Sequence, residues 1–446
     1  MSRQRVCRHL PASFMLVGSL LSLGGCATYS NSTQLRSIEI FLAAQQPEAA
    51  LKALESRRYA KRDEVLFLLN KGMLLRRSGR LAESNTVFEA TKQLMKQLYG
   101  ISIREQTTAL VINDATRSYV GYEYEQVLLY VYKALNYLEL GEIEEARVEV
   151  MQMDVRLREL GKAAAGVEAF GRYVAGMVFE QRREWNDAMV AYRKAYRAYK
   201  RRQNGSGYVP RFLQYDLLRL AQRQGLRNEV RKYRKEFNIT RWQSVRERTK
   251  LGELVFLMHN GLAPVKRENS VMSFAPRANH TVRISLPYYP DYPAMTYRGR
   301  IKIADRTTQS IPVENIDELA RRSLERRMGV ITARAIARAV IKAEMAKKAR
   351  EESSKKNEPL LGFLMEVATV FTERADTRSW TTLPYNIQMV RVSLPPGVYD
   401  LEAEFSADFQ SAVQTRTFPG VKIEKGKYTY INYHWVPPGI HRRRLR

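Results

Sequence analysis

One residue in this chain is placed for covalent chemistry, the thiol of Cys26. Ahead of it, Arg3, Arg5 and Arg8 make a basic start, and Phe14-Met15-Leu16-Val17 with Leu20-Leu21 make a short apolar run. Leu23-Gly24-Gly25 then supplies small residues at a cut site. Basic start, apolar middle and small residues in that order form a secretory signal, which fits residues 1–25. The run is too short to span a bilayer comfortably. The second cysteine, Cys7, falls inside this leader, so the processed chain keeps neither a disulfide nor a thiolate metal site.

Other candidate chemistry is thin. Ser353-Ser354-Lys355-Lys356 has the Ser-x-x-Lys spacing in which a lysine can activate a serine, as in penicillin-binding enzymes. It stands in a lysine-rich stretch without the companion motifs. His259 is a lone imidazole beside a turn, and a metal site needs several donors. No His-Glu-x-x-His, phosphate-binding glycine loop or serine-hydrolase elbow occurs. The expectation is a protein that is not an enzyme, with no cofactor, no metal and no catalytic residue.

Leu23-Gly24-Gly25-Cys26 resembles a bacterial lipobox. The resemblance implies that Cys26 is acylated and becomes the first residue of the mature chain. Each buried methylene adds about 0.8 kcal/mol, and several acyl chains on one residue make a lasting tether. Ala27 stands where lipoproteins of this type carry Asp when they stay in the inner membrane. The implied place is the periplasmic face of the outer membrane, with residues 26–34 as the lipidated tether.

The chain of 446 residues is long enough for two or three domains, and its 45% hydrophobic content is that of a globular protein. Its formal net charge is +28; losing Arg3, Arg5 and Arg8 leaves +25. In a cytoplasmic protein that excess points to nucleic acid. An exported chain meets other anions instead: lipopolysaccharide, peptidoglycan carboxylates or an acidic protein. The excess equally describes a generally basic surface with no specific ligand.

Residues 35–246 read as helix throughout, with apolar residues recurring at three and four. The pattern also repeats, as tetratricopeptide units do. One unit reads Gly72, Leu75, Gly79, Leu81, Ser84, Phe88, and a second Ala134, Tyr137, Gly141, Ile143, Ala146, Val150. A third reads Gly176, Phe179, Trp185, Ala188, Tyr192, Ala195. Pro47-Glu48-Ala49-Ala50 reads as the second helix of an earlier, degenerate unit, with Ala49 in the small position, and a weak last unit surrounds Gly225. The stretch from Leu98 to Glu123 is an insertion. The alternative is a helical bundle without true repeats.

Such arrays curve and present a concave face built from the first helix of each unit. That face carries Leu69, Met73 and Arg76, then Val131, Leu135 and Leu138, then Tyr173, Met177 and Glu180. An apolar stripe of this length needs a cover, either a partner segment or the chain's own second half, with the second favoured.

Residues 250–446 change character. Glu253-Leu254-Val255-Phe256-Leu257-Met258 is a buried-strand pattern closed by Asn260-Gly261. Val282 to Leu286 and Arg300 to Ile303 are further strands. Gln388 to Leu394 and Val398 to Phe405, around Pro395-Pro396-Gly397, read as a hairpin. Val421 to Glu424 and Tyr428 to Tyr433, around Lys425-Gly426-Lys427, read as another. The expected unit is a small antiparallel β-sandwich interrupted by a helical insert at 316–376. On the insert's long helix, Ile336, Ala339, Val340 and Ala343 share one face, with Arg334, Arg338 and Lys342 on the other. Leu360 to Thr372 is a second, apolar helix. The fold class is therefore α+β, a tetratricopeptide-like α-solenoid followed by a β-sandwich-like domain.

Asp376, Arg378 and Trp380 mark a special loop, either a structural lock or a contact for a ligand or partner. The tail His441-Arg442-Arg443-Arg444-Leu445-Arg446 is a basic end able to approach an anionic surface. The lipobox, the array, Gly252-Glu253-Leu254-Val255, the helix Ile331 to Ala339 and Ala375-Asp376-Thr377-Arg378-Ser379-Trp380 occur together. In that combination the chain resembles an uncharacterised family of proteobacterial periplasmic lipoproteins. The resemblance implies an association with peptidoglycan synthesis and no catalytic residue. The expected role is an outer-membrane-anchored scaffold that grips an envelope protein partner. A direct binder of anionic glycan or lipopolysaccharide is the alternative, and a cryptic peptidoglycan-acting enzyme a more remote one.

Overall fold

The structure, a computed structural model, describes residues 31–446 apart from 105–113, 165, 203–206, 276–279, 356–373, 409–411, 439 and 441–446. The leader, Cys26, Lys356, the Leu360 to Thr372 stretch and the Arg-rich tail lie outside the described residues. Helix makes up 54% and strand 22%, so the fold is α+β.

The first half is a succession of helical hairpins: α1 (Asn31–Ala43) with α2 (Pro47–Glu55), α3 (Glu64–Arg77) with α4 (Leu81–Arg104), and α5 (Glu123–Leu140) with α6 (Ile143–Leu160). Then come α7 (Ala169–Gln181) with α8 (Trp185–Arg201), and α9 (Arg211–Arg223) with α10 (Arg227–Phe237). Each helix packs on the one before it and the one after. Small residues set these crossings. Gly72 lies against the ring of Phe88 and Gly176 against that of Tyr192, each too close for a Cβ. Ser84, Ala146 and Ala188 are fully buried where the second helices cross. Ser84 Oγ also donates to the carbonyl of Gly72 at 2.8 Å. In the earliest hairpin the fully buried small residue is Ala50, one position beyond the expected Ala49.

Left-handed residues end the first helices. Gly79 (φ 77), Gly141 (φ 81) and Gly225 (φ 69) serve three hairpins, and Arg183 (φ 63) takes the same conformation after α7. A single turn, α11 (Val245–Arg248), follows, capped by Ser244, whose Oγ accepts from the Glu247 N–H.

The described residues of the second half form ten strands. One four-stranded sheet has the order β10 (Tyr428–Trp435), β1 (Gly252–Asn260), β7 (Asn386–Leu394), β6 (Ile311–Asn315). A second runs β5 (Arg306–Gln309), β4 (Tyr297–Ile303), β8 (Gly397–Ala407), β9 (Gln414–Ile423). β2 (Arg267–Ala275) and β3 (His280–Tyr288) form a separate antiparallel hairpin. Alternation along β1 divides two cores. Leu254, Phe256 and Met258 join Ile301, Phe405 and Ile423 between the two large sheets, while Val255 and Leu257 join the core of the helical hairpins. All nine residues of β1 are buried, which is why its central Leu254 to Met258 reads as an unbroken apolar run.

Three expectations are corrected here. β1 pairs with β10 in parallel, so the strand region is not purely antiparallel. The segments flanking Pro395-Pro396-Gly397 do not pair; β7 lies in the first sheet and β8 in the second. The segments flanking Lys425-Gly426-Lys427 also divide between the sheets, β9 in the second and β10 in the first. A turn signal fixes a chain reversal, and both reversals here carry the chain across the shared core.

Among the described residues the insert between β6 and β7 holds one long helix, α12 (Ile316–Lys355). Its apolar face differs from the expected one. Ala339 and Ala343 pack against Val282 and Ile284 of β3, Ala335 is fully buried, and Ile336 and Val340 are exposed. The β2–β3 hairpin sits close to the helix and admits only small side chains. Arg338, expected on the opposite face with Arg334 and Lys342, is buried.

Candidate functional site

The concave face was the candidate partner groove, expected to be covered by a partner segment or, as favoured, by the chain's own second half. Leu69, Met73, Arg76, Val131, Leu135, Leu138, Tyr173, Met177 and Glu180 are all buried, so they form no open groove. The first sheet lies over the first helices of the hairpins, and Val255, Leu257, Ile387, Met389 and Tyr430 share one apolar cluster with them. An open apolar face would remain in contact with water, and here the chain's own sheet removes that cost.

Polar contacts fix this seam along its length. At one end, Trp380 is fully buried, with its ring 5.8 Å from Phe88 and 6.0 Å from Tyr132. Its backbone N–H donates to Glu125 Oε1 at 2.7 Å, and Thr382 Oγ1 donates to Asn70 Oδ1 at 2.8 Å. Arg378 holds Asp376 through Nε and Nη2, each at 2.9 Å, and donates from Nη1 to Asp63 Oδ1 and to the Arg117 carbonyl, also at 2.9 Å. Burial pushes the Asp376 carboxyl up, and Arg378 more than reverses that. The loop of Asp376, Arg378 and Trp380 is thus a clasp between the two halves. As a contact for a ligand or partner it is corrected, because Arg378 and Trp380 are buried.

At the other end lies a buried cluster of six charges. Arg391 of β7 donates to Asp216 Oδ2 at 2.6 Å and to the Tyr173 hydroxyl at 2.8 Å, and it pairs with Glu253. Arg219 donates to Glu180 Oε1 at 2.7 Å and pairs with Asp216, while Arg248 pairs with Glu253. Burial alone would raise the Asp216 carboxyl; Arg391, Arg219 and Arg248 outweigh it and hold it below its ordinary value. Three guanidiniums against three carboxylates leave no net charge. Tyr173 and Glu180, expected in the groove, are members of this internal network.

His259 lies at the far end of β1 from Glu253, beside the same Tyr132 that flanks Trp380. Its Nε2 donates to Asn432 Oδ1 at 3.2 Å, and its Nδ1 meets the Tyr132 hydroxyl at 3.3 Å. Burial, with Arg76 beside it, lowers its pKa to about 3, so the ring is neutral at ordinary pH. Among the described residues no group of three or more His, Cys, Asp or Glu is placed to hold a metal ion. None of their helices is long and apolar enough to cross a membrane.

The exposed apolar surface lies elsewhere. Val148, Met151 and Val155 on α6, at spacings of three and four, and Val190 on α8 are each nearly half exposed. A cleft of about 590 Å³ runs between these second helices, floored by Ala175, Phe179 and Ala191. Arg147, Arg158, Arg172 and Lys194 rim it, against Asp154 and Asp187. A second cleft of about 520 Å³ flanks α6 on its other side, lined by Met95, Tyr99, Leu129 and Tyr130, and the two share Gln152 and Val155. Sequence reasoning missed this row. Its signal was present as Val148-x-x-Met151-x-x-x-Val155, on the helix face opposite Ala146, Val150, Met153 and Leu157.

No protein-family model matches the chain, and no curated protein matches it in sequence.

Proposed function

We propose that this chain is an outer-membrane-anchored periplasmic lipoprotein that works as a docking scaffold in an envelope complex, rather than as an enzyme. The membrane anchor rests on the leader and Cys26. The docking role rests on one observation, the exposed apolar row of α6 and α8 with a cleft on each side. The concave face is spent on the protein's own sheet, so a partner would be received on the outer face of the array. We read the hairpins as tetratricopeptide-like units, supported by the small residues at the Gly72/Phe88 and Gly176/Tyr192 crossings. We read the two large sheets as a sandwich-like unit, supported by their common core.

The cleft rim between α6 and α8 carries four cations against two carboxylates. A partner segment with apolar residues at helical spacing and acidic flanks fits it best. Affinity capture from envelope extracts with the double variant Met151→Glu, Val155→Glu tests this. A partner held by the parent chain and by an Arg300→Gln control, and lost in the double variant, is the expected outcome. Equal recovery by all three would contradict the proposal. Retention that collapses with salt in parent and variant alike would favour an anionic glycan bound through the general basic surface.

A further inference from the structure

The last turn of α3 places Arg76 and Arg77 side by side, and the ends of β1 and β10 bring two imidazoles to them. The rings of His259 and His434 lie 6.0 Å apart. Arg76 sits over Tyr132, 5.4 Å from the ring centre, and donates to Asn136 Oδ1. Its nearest carboxylate oxygen, Glu139 Oε2, is 3.9 Å away and already accepts from Asn432 Nδ2 at 2.9 Å. Arg77 makes no ion pair among the described residues. Arg76 Nη2, Arg77 Nη1 and His434 Nδ1 are shielded from solvent, and none has a hydrogen-bond partner. Two guanidiniums and two imidazoles thus face one carboxylate.

An uncompensated charge in such a place is expensive. Burial pulls Arg77 down to about 9 and, together with Arg77 and His259, holds His434 well below its ordinary value. The six-charge cluster at the other end of the seam is balanced, so the imbalance here is a local property. We propose that this cluster binds a small inorganic anion, between chloride and phosphate in size, at the guanidinium of Arg77. His434 Nε2 donates to the Gly261 carbonyl at 2.7 Å, so in the neutral ring Nδ1 carries a lone pair. Binding therefore takes up one proton at Nδ1, which then donates to the anion. The other groups facing the site are Arg76 from α3, Tyr132 and Glu139 from α5, His259 from β1 and Tyr433 from β10. Arg77 and His434 are only half-buried as residues, although the two unpartnered nitrogens are not in contact with solvent. The anion would sit in the seam between the helices and the first sheet.

The test is a melting-temperature titration of the purified chain with sodium chloride and, separately, sodium phosphate, each replacing sodium gluconate at constant ionic strength. A saturable rise is expected with at least one of the two anions, and which one responds reports the size of the site. With chloride, which does not titrate, apparent affinity rises as pH falls from 8 to 6, by up to about tenfold per pH unit for one coupled proton. Arg77→Gln removes the saturable rise, and the exposed control Arg300→Gln keeps it. An identical rise in Arg77→Gln, or none in the parent chain, overturns the proposal. Should Arg77→Gln not fold, nitrogen NMR of His434 in the parent decides. A shift of Nδ1 toward the protonated value on anion addition supports the site, and an unmoved resonance overturns it.

Discussion

Arg391 of β7 reaches into the helical half and donates to Asp216 of α9 at 2.6 Å, with both side chains almost completely buried. This contact ties a strand to a helix 175 positions earlier. It makes the two halves depend on each other for charge balance as well as for apolar cover.

Arg391→Met leaves Asp216 and Glu253 short of a cation inside the seam. Breaking a buried pair from one side costs about 3–5 kcal/mol. Urea unfolding of the variant shows that loss, and Asp216→Asn combined with Arg391→Met recovers part of it. A loss below about 1 kcal/mol in the single variant would remove the seam cluster from the account.

Trp380→Ala removes the largest side chain of the clasp and leaves a void beside Phe88 and Tyr132. Truncations of this size cost about 3–5 kcal/mol. Amide exchange locates the effect, with protection lost in β1 and α5 before β4 and β8.

Acid weakens the fold through His259. Unfolded, its imidazole binds a proton below about pH 6.5; folded, only below about 3. The unfolded state therefore binds more protons across that window, and stability falls as pH drops through it. The slope from this residue approaches about 1.4 kcal/mol per pH unit. His259→Gln flattens the pH dependence of the urea midpoint between pH 6 and 4. An unchanged slope would mean that other groups dominate.

The turn after α7 holds Arg183 at φ 63, where the corresponding turns use Gly79 and Gly141. Arg183→Gly relieves that strain at the cost of a more flexible unfolded chain. A net gain of about 0.5–1 kcal/mol is expected in thermal or urea melts.

The hairpins were legible because their constraints are local. Gly72, Gly176 and the helix-ending glycines sit at fixed offsets that one helical period reveals. The strands were legible one by one for the same reason, down to the doubly buried run of β1. Pairing was not, because Pro395-Pro396-Gly397 and Lys425-Gly426-Lys427 report a reversal and not the sheet that receives the next strand. The cover over Leu69, Met73 and Tyr173 was expected only in general terms. The Arg391–Asp216 contact within that cover was not legible, because a solvent-facing pattern would explain two charged residues equally well. The outer row was hidden in the opposite sense. Val148, Met151 and Val155 resemble core residues until the packing of Ala146, Val150 and Met153 shows which face of α6 is turned inward.

The most direct test of docking on the outer face is photocrosslinking in the intact envelope, with a photoreactive residue at Met151 or Val190 and, for comparison, at Met177 or Leu135. Crosslinks to one discrete protein from the outer positions, and only internal products from the inner ones, are the predicted result. Intermolecular crosslinks from Met177 or Leu135, with none from Met151 or Val190, would contradict it.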